Sequence, residues 1–156
     1  MAKVGRAARV ASRQRVETIS ADKTIVSAET GGLYLVDHNA ASTVTVTLPA
    51  AQDGAYFKFI LITAMTDNSA VLKITSQSGD FLSGGPVAVT LNGSDPGSQV
   101  VGNGSSNLVL TLDGNTDVLQ SSTIECYSDG SKWHITGLLL LAASATASNS
   151  IAFSDS

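Results

Sequence analysis

Residues 55–63 read Ala-Tyr-Phe-Lys-Phe-Ile-Leu-Ile-Thr. In an extended chain Tyr56, Lys58, Ile60 and Ile62 share one side, and Phe57, Phe59 and Leu61 share the other. The second set is wholly apolar, so the spacing predicts a strand that turns Phe57, Phe59 and Leu61 into a core. The preceding stretch, Ser42-Thr43-Val44-Thr45-Val46-Thr47-Leu48, alternates hydroxyl and aliphatic residues. It predicts one wet and one buried face, and Pro49, with no N–H to give to a ladder, ends it.

On the N-terminal side, Glu17–Ile19, Lys23–Val26 and Leu33–Val36 are shorter runs, the last bracketed by Gly31-Gly32 and Asp37-His38-Asn39. On the C-terminal side come Val71–Thr75, Phe81-Leu82, Val87–Leu91, Leu108–Leu112, Thr123–Tyr127 and Lys132–Thr136. Ser128-Asp129-Gly130-Ser131 joins the last two as a hairpin turn. Asn92 to Asn107 is rich in Gly, Ser, Asn and Asp and predicts a long surface loop around a short Val100-Val101 strand.

About ten short strands without a convincing helix predict an all-β protein: an antiparallel β-sandwich or jelly-roll-like barrel with an extended basic N-terminal arm. The lack of a strict internal repeat argues against a propeller or solenoid. The expected division is an arm over 1–19, a β-sandwich domain over 20–137 and an apolar-then-polar segment over 138–156. Leu138, Leu139, Leu140 and Leu141 stand in a row. Such a run suits burial on both faces, either against a neighbouring subunit or as a last strand inside the same monomer.

The 156 residues suffice for one domain with a sizeable core. Charged residues make up 14%, while Ser and Thr together number 36, which agrees with a β protein rather than a helical bundle. The longest strongly apolar run, Leu138 to Ala143, is too short to span a membrane, and no apolar segment follows the basic start as a secretory signal would require. The single Cys126 permits no intrachain disulfide and reads as a small buried hydrophobe.

Charge is distributed unevenly. Lys3, Arg6, Arg9, Arg13 and Arg15 give residues 1–15 a charge of +5, and no acid precedes Glu17. The remaining 141 residues carry four basic and thirteen acidic side chains, or −9. A basic arm on an acidic body suits an acidic protein surface, since guanidinium forks pair well with carboxylates. Nucleic acid fits less well, because the body repels phosphate and the arm has no aromatic residue for base stacking.

Residues that carry chemistry are sparse. His38 and His134 are not at metal-ligand spacing, no G-x-S-x-G elbow occurs, and the aspartates sit mostly in turns. No catalytic residue, metal or cofactor is expected. Trp133, in phase with Ile135, reads as core rather than as a glycan platform.

The segment Val44-Thr45-Val46-Thr47-Leu48-Pro49, with Gly54 and Tyr56-Phe57-Lys58-Phe59, resembles a pattern of β-rich structural proteins of tailed bacteriophages. Cys126-Tyr127-Ser128-Asp129-Gly130-Ser131-Lys132-Trp133-His134-Ile135 resembles the close of the same module. The resemblance spans roughly residues 20–137 and is nearest to head decoration (cement) proteins. It implies a homotrimer on the capsid exterior near local three-fold axes, made in the bacterial host cytoplasm, with the major capsid protein as partner and no catalytic residues. On this reading Lys3, Arg6, Arg9, Arg13 and Arg15 bind the capsid, and Leu138–Leu141 form the oligomer interface. A phage tail-fibre or receptor-binding (carbohydrate-binding) module is the alternative. A non-viral carbohydrate-binding module is a third reading.

Overall fold

Alternation becomes structure throughout residues 15–91, 97–142 and 150–156, the residues that the computed structural model describes. Fourteen strands form there: β1 (Val16–Ile19), β2 (Lys23–Thr24), β3 (Gly32–Val36), β4 (Thr43–Thr47), β5 (Tyr56–Leu61), β6 (Val71–Thr75) and β7 (Leu82–Gly84). They are followed by β8 (Val87–Thr90), β9 (Ser98–Gln99), β10 (Gly102–Asn103), β11 (Val109–Asp113), β12 (Thr123–Ser128), β13 (Trp133–Leu141) and β14 (Ile151–Ser154). Two single turns of 3-10 helix, Ser27–Glu29 and Gly114–Thr116, lie between strands.

The protein is all-β, in two mixed sheets. The large sheet runs β1-β3-β5-β12-β13-β7-β10, with β8 on β13 and β9 on β8; the small one runs β14-β11-β6-β4-β2. The antiparallel expectation is corrected here. β1, β3 and β5 pair in parallel in the large sheet, as do β2, β4 and β6 in the small one. The first six strands therefore visit the two sheets in turn and wind as three stacked coils. Parallel neighbours need a crossover, and the strand in the opposite sheet supplies it. No strict repeat marks these coils in the sequence. Coils of unequal length explain that: Val16 stacks on Leu33, 17 positions on, and Leu33 on Lys58, 25 positions on.

The second half closes the winding with antiparallel strands, β12 on β5 and β11 on β6. β12 and β13 form the expected hairpin, with Gly130 at positive φ in its turn. In place of a Val100-Val101 strand, the short strands β9 and β10 flank those residues. β1 is hydrogen-bonded to β3 although it precedes residue 20, and β13 runs through residue 137 without interruption. The tail also supplies β14, which pairs with β11.

One core lies between the sheets. The large sheet contributes Tyr34, Phe57, Phe59, Leu61, Ile124, Cys126, Trp133 and Ile135, all buried. The small sheet contributes in-register rows, Val44-Leu72-Leu112-Ile151 and Val46-Ile74-Leu110-Phe153. Tyr34 stacks on Phe59 at 5.3 Å and Phe57 packs on Trp133 at 5.6 Å. Each such buried side chain contributes about 1.5–3 kcal/mol of transfer free energy.

Candidate functional site

Of the five cations of the basic arm, Lys3, Arg6, Arg9 and Arg13 lie outside the described residues. Arg15 is the one of the five among the described residues. Its guanidinium lies 2.7 Å from Glu29 and 3.2 Å from Glu17. Lys23 completes the group, 2.9 Å from Glu17 and 3.4 Å from Glu29. Glu29 is 5% exposed and also accepts the Val26 N–H at 2.9 Å. The Lys23 hydrogen bond is the main cause that lowers the Glu17 pKa, and Glu17 in turn raises that of Lys23. Two acids and two bases thus neutralise each other at the open end of the first coil. The Arg15 charge is engaged within its own chain.

The four leucines divide by strand parity. Leu139 and Leu141 are fully buried in this chain's own core, while Leu138 is 43% exposed and Leu140 partly so. β13 is an inner strand here, flanked by β12 on one side and β8 on the other. Within this chain one face of the run is buried and the other is open. Only Leu138 and Leu140 lie on the outer surface, where any partner would meet them.

That outer surface is laid out in register. One row crosses six strands: Thr18, Leu35, Ile60, Thr123, Leu138 and Val87. The next row holds Val16, Leu33, Lys58, Glu125 and Thr136, with Lys58 Nζ 2.7 Å from Glu125. The hairpin end holds Tyr56, Tyr127 and His134; Tyr127 stacks on His134 at 5.4 Å. His134 Nε2 is 2.8 Å from Asp129. Asp129 also accepts from the Ser131 hydroxyl and from the Ser131 and Lys132 amides. These contacts, the imidazole first among them, hold its carboxyl well below the usual carboxylate range.

The remaining chemistry-bearing residues have structural occupations. Cys126 is fully buried, and burial pushes its thiol up. His38 is buried, with Nε2 3.0 Å from the Ser42 carbonyl. Among the described residues no three His, Cys, Asp or Glu side chains gather as a metal ion requires. No helix among them is long and apolar enough to cross a membrane. A depression of about 180 Å³ lies along residues 17–23, and one of about 80 Å³ beside Ser27, Thr30 and Asp53. Both are smaller than typical small-molecule sites. In the 97–107 loop, Asn103 Oδ1 accepts the amides of Ser105, Ser106 and Asn107, so that side chain holds its own turn.

Comparison with protein-family models, with curated proteins and with solved structures returns no match for this chain.

Proposed function

We propose that the chain is a non-enzymatic virion structural protein that binds the outer surface of a phage capsid and stabilises it as a decoration trimer. The finer fold that goes with this reading is a sandwich of the phage structural-module type. The observation that carries it is the partition of charge, +5 in residues 1–15 against −9 in the rest. A cement protein gains its binding energy at junctions between capsid subunits. A cationic segment on a body of opposite sign is attracted to acidic patches there while the body stays clear. Lys3, Arg6, Arg9 and Arg13 are the capsid-binding cations in this proposal. Arg15 anchors the segment, because Glu17 and Glu29 already hold it. The partner is the major capsid protein, on the virion exterior.

Deletion of residues 2–14 leaves the Arg15 cluster in place and tests the reading. Purified full-length and truncated chains are titrated onto capsids that lack the protein. Loss of binding by a folded truncated chain is expected; binding at full strength overturns the proposal. A second reading, a receptor-binding module of a tail, draws on the exposed Tyr127 and its His134 neighbour. It predicts glycan binding lost in Tyr127→Ala and few copies per particle.

A further inference from the structure

The two sheets differ in the chemistry that they present to the outside. The outer positions of the small sheet are largely hydroxyl-bearing or charged: Thr43, Thr45, Thr47, Lys73, Thr75 and Thr111. Many of the corresponding positions of the large sheet hold aliphatic side chains on neighbouring strands, Leu35, Ile60, Leu138, Leu140, Val87 and Val89, interspersed with Thr18, Thr123, Thr136 and the Lys58–Glu125 pair. Leu138, Val87 and Ile62 are 43%, 39% and 42% exposed. A β face left to water normally carries polar residues, as the small sheet does.

We propose that this outer face of the large sheet is where copies of the chain pack against one another. It deepens the self-association part of the proposed function and rests on that reading, but requires neither the basic arm nor the capsid. Two observations favour a second copy as occupant. The first is charge. The body from residue 16 onward carries −9, so most approaches between copies are repulsive. On the central rows of this face the charged side chains are Lys58 and Glu125, joined at 2.7 Å. On this face two acidic bodies can therefore meet without bringing unpaired like charges together. It also offers nothing for a strongly charged partner to recognise.

The second observation is area. Six strands at about 4.8 Å spacing and three side-chain rows cover about 500 Å² per copy. A pair of copies then buries roughly 1,000 Å², the size at which specific interfaces begin.

The test measures mass by sedimentation velocity on the purified full chain, up to about 100 µM. Three proteins are compared: wild type, Ile62→Glu with Leu138→Glu, and Thr43→Glu with Thr111→Glu on the small sheet. Wild type is expected to sediment as a dimer or trimer. The small-sheet variant is expected to match it, and the large-sheet variant to dissociate about 30-fold more readily or further. Circular dichroism establishes that each variant is folded. A monomeric wild type overturns the proposal whatever the variants do, and so does a folded Ile62/Leu138 variant of unchanged mass. If wild type is monomeric and the Ile62/Leu138 variant loses capsid binding, the face belongs to the capsid protein instead. The arm-deletion experiment is read on capsids, so failure of either idea is seen separately.

Discussion

Tyr34 illustrates how much one buried atom matters. Its hydroxyl is enclosed with no hydrogen-bond partner among the described residues, and Tyr34 lies in register with Glu17 and Phe59. Burial first, then the nearby Glu29 and Glu17 carboxylates, push its pKa up to about 12. Removing an unpaired buried hydroxyl while keeping the ring removes a desolvation cost, so Tyr34→Phe is expected to be stabilised by about 1 kcal/mol. For a chain of this size that is about 2–4 °C in Tm, read by calorimetry. The pH dependence has a definite sign. The folded-state pKa lies above the unfolded one, so the Tyr34 contribution is present below pH 10. It is lost as pH rises through about 12, because the unfolded chain ionises first. The alkaline fall in wild-type stability is expected to be steeper than that of Tyr34→Phe; parallel curves overturn the assignment. Asp129 works in the opposite direction. Its carboxyl is held low, chiefly by His134, so the hairpin is favoured above the usual carboxylate range and loses that contribution as acid protonates Asp129. Asp129→Asn is expected to flatten the acid limb of the stability curve. The two roles were not equally legible. Asp129-Gly130 announces a turn in any sequence, but nothing beside Tyr34 in the chain says that its hydroxyl finds no partner.

At the scale of elements, β13 carries the most constraint. It pairs with β7 up to Ile135 and with β8 from Leu138 onward. Gly137 sits at the change of neighbour with φ +149, and a Cβ there would overlap the Thr123 carbonyl oxygen of β12. Gly137→Ala therefore has to push β12 and β13 apart. A loss of about 2 kcal/mol or more is expected in denaturant unfolding, whereas Thr136→Ala, one position earlier and exposed, changes little. The strands themselves were legible because each buries alternate side chains, and alternation is a local property. β5 and β4 follow their sequence pattern residue by residue. Which strand lies beside which is not local. Gly32, Tyr34 and Val36 would look the same with an antiparallel neighbour, so the parallel winding of the first six strands left no mark in the pattern. β14 escaped for another reason: Ile151-Ala152-Phe153-Ser154 is short and follows a run of small and polar residues. The four leucines were legible in part. A continuous apolar run implies two buried faces, yet this chain buries only Leu139 and Leu141 itself.

At the scale of the whole molecule, charge separates the proposed capsid contact from the proposed contact between copies. The first is electrostatic, so its strength must depend on ionic strength. Attraction between exposed charges is screened over about 8 Å at physiological salt and over about 3 Å at 1 M. Capsid binding by the full chain is expected to weaken steadily as sodium chloride rises, mainly through a slower association rate. The contact between copies is apolar and internally neutral at Lys58 and Glu125. Added salt weakens no net attraction there, and it screens the mutual repulsion of the −9 bodies. Self-association is therefore expected to hold or strengthen over the same range. Sedimentation and capsid titration in one salt series read both slopes. Opposite signs are the expected result. A common downward slope would place charge pairs, rather than Leu138 and its neighbours, between the copies. A flat capsid slope would remove the cations from the contact that the charge partition assigns to them.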